Sequence, residues 1–211
     1  MTAMYRIMIG LSFILGITTA AIALKKRGVP GNIIVYSAVL EIMLSMYLAL
    51  VTAYILSGAE NYGLNGSGGA FGILLGAFIF SKITPKYKDA IYSAYVIILP
   101  LMYGIGKIGC SFAGCCGGIK LNGGKAFPIQ IVEAIVFLAV FAASAFAFFK
   151  EKYEPVTAAI IYAAVKIVLD FFRDTHEEHL ITTNQVMCVV IIALLLGVKF
   201  ISYKAAFFKH N

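Results

Sequence analysis

Five ionisable side chains interrupt otherwise apolar stretches of the chain: Glu41, Lys107, Glu133, Lys166 and Asp170, with Arg173 three residues beyond the last. A charge near the centre of a bilayer costs at least ~2.5–3.5 kcal/mol, so in a membrane each of these needs a polar partner or a water-filled cavity. Tyr162, Lys166, Asp170 and Arg173 recur at intervals of four, four and three, which puts them on one face of a helix. That polar stripe is either a self-satisfied ladder from Lys166 to Asp170 or a functional surface, the usual meaning of intramembrane charge. Gln130 and Glu133 lie one turn apart just after Pro128, where a helix would naturally begin. Glu41 with Ser37 and Ser45 makes a weaker stripe, as readily structural as functional.

The stretch from Gly104 to Gly118 combines six glycines, Lys107 and the thiols of Cys110, Cys115 and Cys116. Glycines let backbones approach closely and expose N–H groups, and a lysine among them can neutralise a phosphate. The pattern does not fit GxxxxGK[ST]. Close helix packing by small residues explains the glycines but not Lys107. Free cysteine is commonly an inert small core residue; a catalytic or redox thiol is the alternative, with Cys115 and Cys116 preferred because a thiolate there would gain from Lys107. Cys188 reads as packing. No CxxC pair and no Cys/His spacing suited to zinc occurs, so neither a metal nor a cofactor is expected, and no disulfide framework either.

These residues must be carried by helices in a bilayer. Of the 211 residues, 61% are hydrophobic and 13% charged, about half the roughly 25% charged share of a soluble domain. A spanning helix needs about 20 mostly apolar residues. The expected fold is therefore an all-α polytopic membrane protein: seven transmembrane helices at about 4–24, 32–57, 67–82, 88–108, 127–149, 155–173 and 184–203, in one integral membrane domain over 1–211. From Gly104 to Gly124 the chain is too rich in glycine and cysteine for regular helix, so an irregular Gly/Cys-rich segment is expected after helix four. The apolar run from Arg6 to Leu24, with Ala21-Ile22-Ala23 faintly like a cleavage site, is too long for a signal h-region and is taken as the first span.

A net charge of +7 would suggest nucleic acid in a soluble protein, but the lysines cluster in particular loops, so no nucleic-acid partner is expected. Lys25, Lys26 and Arg27, then Lys82, Lys86 and Lys88, then Lys199, Lys204 and Lys209 fall on one side of a seven-span arrangement. That side is the cytoplasm, leaving the N-terminus outside and the C-terminus inside. Glu60, Asp174, Glu177 and Glu178 fall outside, as do Lys107, Lys120 and Lys125; the last three point either to an anionic ligand or to a solvated loop.

Taken together, these motifs resemble the prolipoprotein diacylglyceryl transferases of bacterial inner membranes. The glycine-cysteine segment from Gly104 to Gly118 resembles that family's G-R-I-G-N-F-x-N-x-E-x-x-G, Pro128 to Ala134 its P-x-Q-L-Y-E-A, Lys166 to Arg173 its R-x-x-x-E-F-F-R, and Ser67-Gly68-Gly69 its H-G-G. The resemblance implies transfer of a diacylglyceryl group from phosphatidylglycerol, or a similar anionic phospholipid, to the cysteine thiol of a lipoprotein precursor or related acceptor. It further implies a catalytic set of Lys107, Lys166, Asp170, Arg173 and Glu133, and a substrate-binding set of Ser67, Gly68, Gly69, Gly109, Cys110, Gly114, Cys115, Gln130 and Tyr162. Against the family pattern, two arginines are lysines, the histidine is Ser67, an asparagine is Cys110 and the glutamate is Cys115. Glu133, Asp170 or a cysteine would then have to replace the missing base. A small membrane transporter or channel, and a thiol-redox membrane protein using Cys115 and Cys116, are the alternative readings.

Overall fold

The computed structural model describes residues 3–58, 63–121, 124–177 and 180–210, with backbone alone for 177 and 201–210. Glu60 and Glu178, and the side chains of Glu177, Lys204 and Lys209, on which the orientation partly rests, lie outside the described residues.

Seven α-helices follow in chain order: α1 (Ala3–Lys26), α2 (Gly31–Leu56), α3 (Gly66–Ile83), α4 (Lys88–Ala113), α5 (Ile129–Phe149), α6 (Pro155–Asp170) and α7 (Thr183–His210). Among the described residues there is no strand beyond two isolated bridges, Gly118 with Arg173 and Lys120 with Ala126. Six helices are long and apolar enough to cross a membrane; α6, with 16 residues, is the exception. At 1.5 Å per residue it rises about 24 Å.

Each boundary has a local cause. Asn65 caps α3 by accepting the Gly68 N–H at 2.9 Å. Glu154 caps α6 by accepting from Val156 and Thr157, with Pro155 at the first helical position. Thr182 and Gln185 form a reciprocal capping box on α7: the Gln185 N–H donates to Thr182 Oγ1 and the Thr182 N–H to Gln185 Oε1. Helix α6 stops at Asp170 rather than continuing to 173, because the backbone beyond it is engaged elsewhere. The Phe172 carbonyl accepts from Ile119, and the Asp174 N–H donates to the Gly117 carbonyl.

Helix α4 packs against α1, α3, α5 and α6 and carries much of the buried surface. The irregular segment expected after helix four is present, but it begins at Gly114 and not at Gly104: α4 stays helical through Ala113 and ends at Gly114, whose φ of 66° is left-handed. The helical glycines serve close packing instead. A Cβ at Gly104 would meet Leu138 at 3.0 Å, and one at Gly109 would meet Met8 at 2.9 Å. Helices α2 and α3 approach still more closely, since a Cβ at Gly72 would lie 2.6 Å from the Leu44 carbonyl oxygen. On the same interface the fully buried Glu41 carboxyl lies against Gly76 and Ser45 donates to the Gly69 carbonyl, while Ser37 of α2 bonds Tyr95 of α4.

Two sets of contacts gather the basic connections at one end of the bundle. Lys26, the last residue of α1, and Arg27 just after it sit over the rings of Phe149 and Phe148 at the end of α5, 4.1 and 4.9 Å from the centroids. Lys199, late in α7, reaches Glu154 and Thr157 at the start of α6.

Candidate functional site

Helices α4, α5 and α6 bring Lys107, Glu133, Lys166 and Asp170 together, and the turn after α6 adds Arg173. Lys107 Nζ lies 2.7 Å from Glu133 Oε2 and Lys166 Nζ 3.1 Å from Glu133 Oε1. Lys166 also donates to Asp170 Oδ1 at 2.7 Å, and Arg173 Nη1 to the same oxygen at 3.2 Å. The Lys166–Asp170 ladder read from the sequence is present, but it is one segment of a continuous network running through three helices. None of the five side chains is more than 8% exposed. Three cations face two carboxylates, so the cluster carries one surplus positive charge.

Neutral groups complete it. Tyr103, one turn before Lys107 on α4, donates its hydroxyl to Glu133 Oε1 at 3.0 Å, and its ring lies 5.3 Å from Lys107 Nζ and 5.8 Å from Lys166 Nζ. The Thr182 hydroxyl donates to Asp170 Oδ2, so the residue that caps α7 also fixes the carboxylate at the end of α6. Arg173 Nε is buried with no partner.

A cavity of about 580 Å³ opens beside this network. Lys107, Lys166 and Arg173 line it, while Glu133 and Asp170 stand behind them and set their positions. Its other walls are largely apolar, with Ile9, Phe13, Leu99 and Met102 among them. Ser67 also lines the cavity and donates to Asn184 Oδ1 at 3.1 Å. Gly69 lines it as well, and Gly68 and Gly69 both pack on α2, where a Cβ would meet Thr52 and Ser45. Gly109 packs on α1 and Gly114 forms the αL end of α4, neither of them lining the cavity. Gln130 donates to the Cys115 carbonyl at 2.8 Å and so holds the loop after α4. Tyr162 is not part of this cavity's wall; its hydroxyl bonds Ser144 at 2.6 Å and Tyr153 at 3.1 Å.

Cys110, Cys115 and Cys116 line the same cavity, and all four cysteines are free thiols. The hydrogen bond with the Cys110 thiol lowers Cys116 to about 5; desolvation opposes this, while Lys107 and then Arg173 reinforce it. Burial raises Cys115. Cys188 is buried in α7, as its packing role requires.

Tyr103, Thr182 and Asn184 did not emerge from the sequence, where neutral polar residues carry no insertion penalty to mark them. Thr182 alone had a legible signal, the Thr-x-x-Gln spacing of a capping box. In comparisons with known proteins, the sequence model described as prolipoprotein diacylglyceryl transferase matches residues 2–201. A phosphatidylglycerol–prolipoprotein diacylglyceryl transferase of Dehalococcoides mccartyi is 27% identical, with the alignment covering 89% of this chain and 76% of that protein.

Proposed function

The chain belongs to the prolipoprotein diacylglyceryl transferase family and is a transferase, and from that premise we propose that it moves a diacylglyceryl group from phosphatidylglycerol, or a similar anionic phospholipid, to a cysteine thiol of a lipoprotein precursor or related acceptor. It does so as a multi-pass protein of a bacterial inner membrane, with the N-terminus outside and the C-terminus in the cytoplasm. The observation that carries this reading is the buried cluster of three cations and two carboxylates on the wall of an intramembrane cavity.

In this reaction the acceptor sulfur attacks the glyceryl carbon that bears the phosphate. The carbon–oxygen bond breaks, its electron pair stays on the phosphate oxygen, and glycerol phosphate leaves. Negative charge therefore grows on the leaving phosphate, where Lys107, Lys166 and Arg173 supply fixed cations in a site shielded from water. Glu133 and Asp170 position those cations. Lysine lacks the planar fork that holds phosphate oxygens in pairs, so Arg173 is the one group suited to bidentate contact, and its unpartnered Nε supports that assignment. Ser67, Gly69, Cys110 and Cys115 line the cavity, where the substrates would meet them. Gly68, Gly109, Gly114 and Gln130 act at one remove, by shaping the helices and the loop around it.

The direct test is purified protein with isotope-labelled phosphatidylglycerol and a lipobox peptide, followed by mass analysis of the peptide. A labelled diacylglyceryl adduct on the cysteine is expected. An unmodified peptide, across phosphatidylglycerol and other anionic donors, would reject the reading.

A further inference from the structure

The thiols of Cys110, Cys115 and Cys116 converge. Their spacing in sequence matches no zinc pattern, but the left-handed turn at Gly114 reverses the chain at the end of α4, and Cys116 itself has φ 59°. The three sulfurs come to lie within 4.8 Å of one another. A metal bound to thiolates at about 2.3 Å in a tetrahedron needs sulfur separations of roughly 3.8 Å, so each sulfur has about half an ångström to move. The scaffold that presents them is fixed. Gln130 holds the Cys115 carbonyl, the Asp174 N–H holds the Gly117 carbonyl, and Ile119 is bonded to both Phe172 and Phe127.

We propose that Cys110, Cys115 and Cys116 form a three-thiolate site for zinc, with the fourth position open to the cavity, where it takes the acceptor's cysteine as a metal-bound thiolate. Three protein ligands and one open position is the arrangement of zinc sites that do chemistry, and soft thiolates suit this metal. Charge balance supports the assignment. Three thiolates on a divalent ion leave one negative charge, which the one surplus positive charge of the cluster holding Lys107 and Arg173 on the same cavity wall offsets. Arg173 brings its buried, unpartnered Nε to that wall and interacts electrostatically with Cys116.

The site answers a chemical need. An acceptor thiol must become a thiolate before it attacks carbon, and serine stands at residue 67, where the family pattern has histidine. On the metal the acceptor loses its proton to water, and its sulfur then forms the new bond to the glyceryl carbon as the carbon–oxygen bond breaks toward phosphate. The thioether produced is a poorer ligand than a thiolate and leaves the metal. No electron is gained or lost.

For the acceptor's identity, though not for the metal itself, the inference rests on the transferase reading above. The test uses full-length protein in detergent, reduced, loaded with zinc sulfate or cobalt chloride and freed of excess. One zinc per chain is expected by elemental analysis, and a sulfur-to-cobalt charge-transfer band with cobalt. C110S, C115S and C116S should each weaken zinc binding by at least the roughly tenfold that loss of even an outer-shell partner costs, while C188S binds as wild type does. A lipobox peptide should shift the cobalt band, and its serine counterpart should not. No zinc in the reduced protein, three thiols found oxidised under reductant, or equal loss in C188S would overturn the site. A cobalt band indifferent to the cysteine peptide would overturn the acceptor role. Transfer from phosphatidylglycerol that persists in the chelated, metal-free protein would defeat this inference and leave the transferase reading intact; stoichiometric zinc with no transfer from any donor would defeat that reading and leave the metal site standing.

Discussion

Lys107 and Lys166 share one carboxylate, Glu133, and each also stands beside Tyr103. Either lysine removed leaves the other still paired, so K107A and K166A should fold while losing charge stabilisation of the leaving phosphate. A loss of ~3–4 kcal/mol, or about 10²–10³ in turnover, is expected for each, measured as labelled adduct per unit time; K107R and K166R should retain more activity than the alanine variants. Full activity in both alanine variants would remove the cations from the mechanism. Y103F withdraws a neutral donor from a buried carboxylate, which should cost about 1.5–3 kcal/mol of stability in thermal unfolding. An unchanged midpoint would mean that the Tyr103 bond is not formed in solution. At this scale the sequence was legible wherever charge met hydrophobicity. Lys166, Asp170 and Arg173 betrayed themselves by spacing, and Lys107 and Glu133 by their insertion cost. Tyr162 kept the same period but lies a turn away from Lys166, where its hydroxyl finds Ser144 and Tyr153 rather than the cavity. Helical phase gives a face; it does not give the neighbour that faces it.

Helices α2 and α3 meet backbone to backbone at Gly68 and Gly72, and Gly76 lies against the Glu41 carboxyl, so their fit has no slack for a methyl group. G72A should destabilise the protein by about 1–3 kcal/mol, because the obstacle is the Leu44 carbonyl and not a movable side chain. G10A, where a Cβ meets nothing within 4 Å, is expected to be neutral or slightly stabilising. Thermal unfolding in detergent distinguishes the two, and equal midpoints would refute the close contact. The order of the helices was legible from hydropathy and from punctuation such as Thr84-Pro85. The end of α4 was not. Gly104, Gly106 and Gly109 look like helix breakers until their packing partners are known, and those partners, Leu138, Ile9 and Met8, come from other helices. The stop of α6 at Asp170 was equally hidden, since it is imposed by backbone bonds to a loop some fifty residues earlier.

Across the whole molecule the basic residues divide the bundle into two ends, one with Lys26, Arg27 and Lys199, the other with the Lys107–Arg173 cluster and the loop after α4. In intact cells an impermeant thiol reagent should add label to K125C above the native thiols and add none to K86C; the reverse pattern would invert the topology. The shortness of α6 has a further physical consequence. At about 24 Å it falls short of a hydrocarbon layer of about 30 Å, so lipid around that side of the bundle must thin, or headgroups and water must sink, to meet its polar end. Under the proposed reaction the donor phosphate would thereby sit beneath the average plane of the surrounding leaflet, at a depth set by the host lipids. Reconstituted in vesicles of progressively longer acyl chains, the protein should slow as the mismatch grows, with donor headgroup and surface charge held constant. A rate indifferent to chain length would mean that neighbouring helices, and not the bilayer, absorb the missing turns of α6.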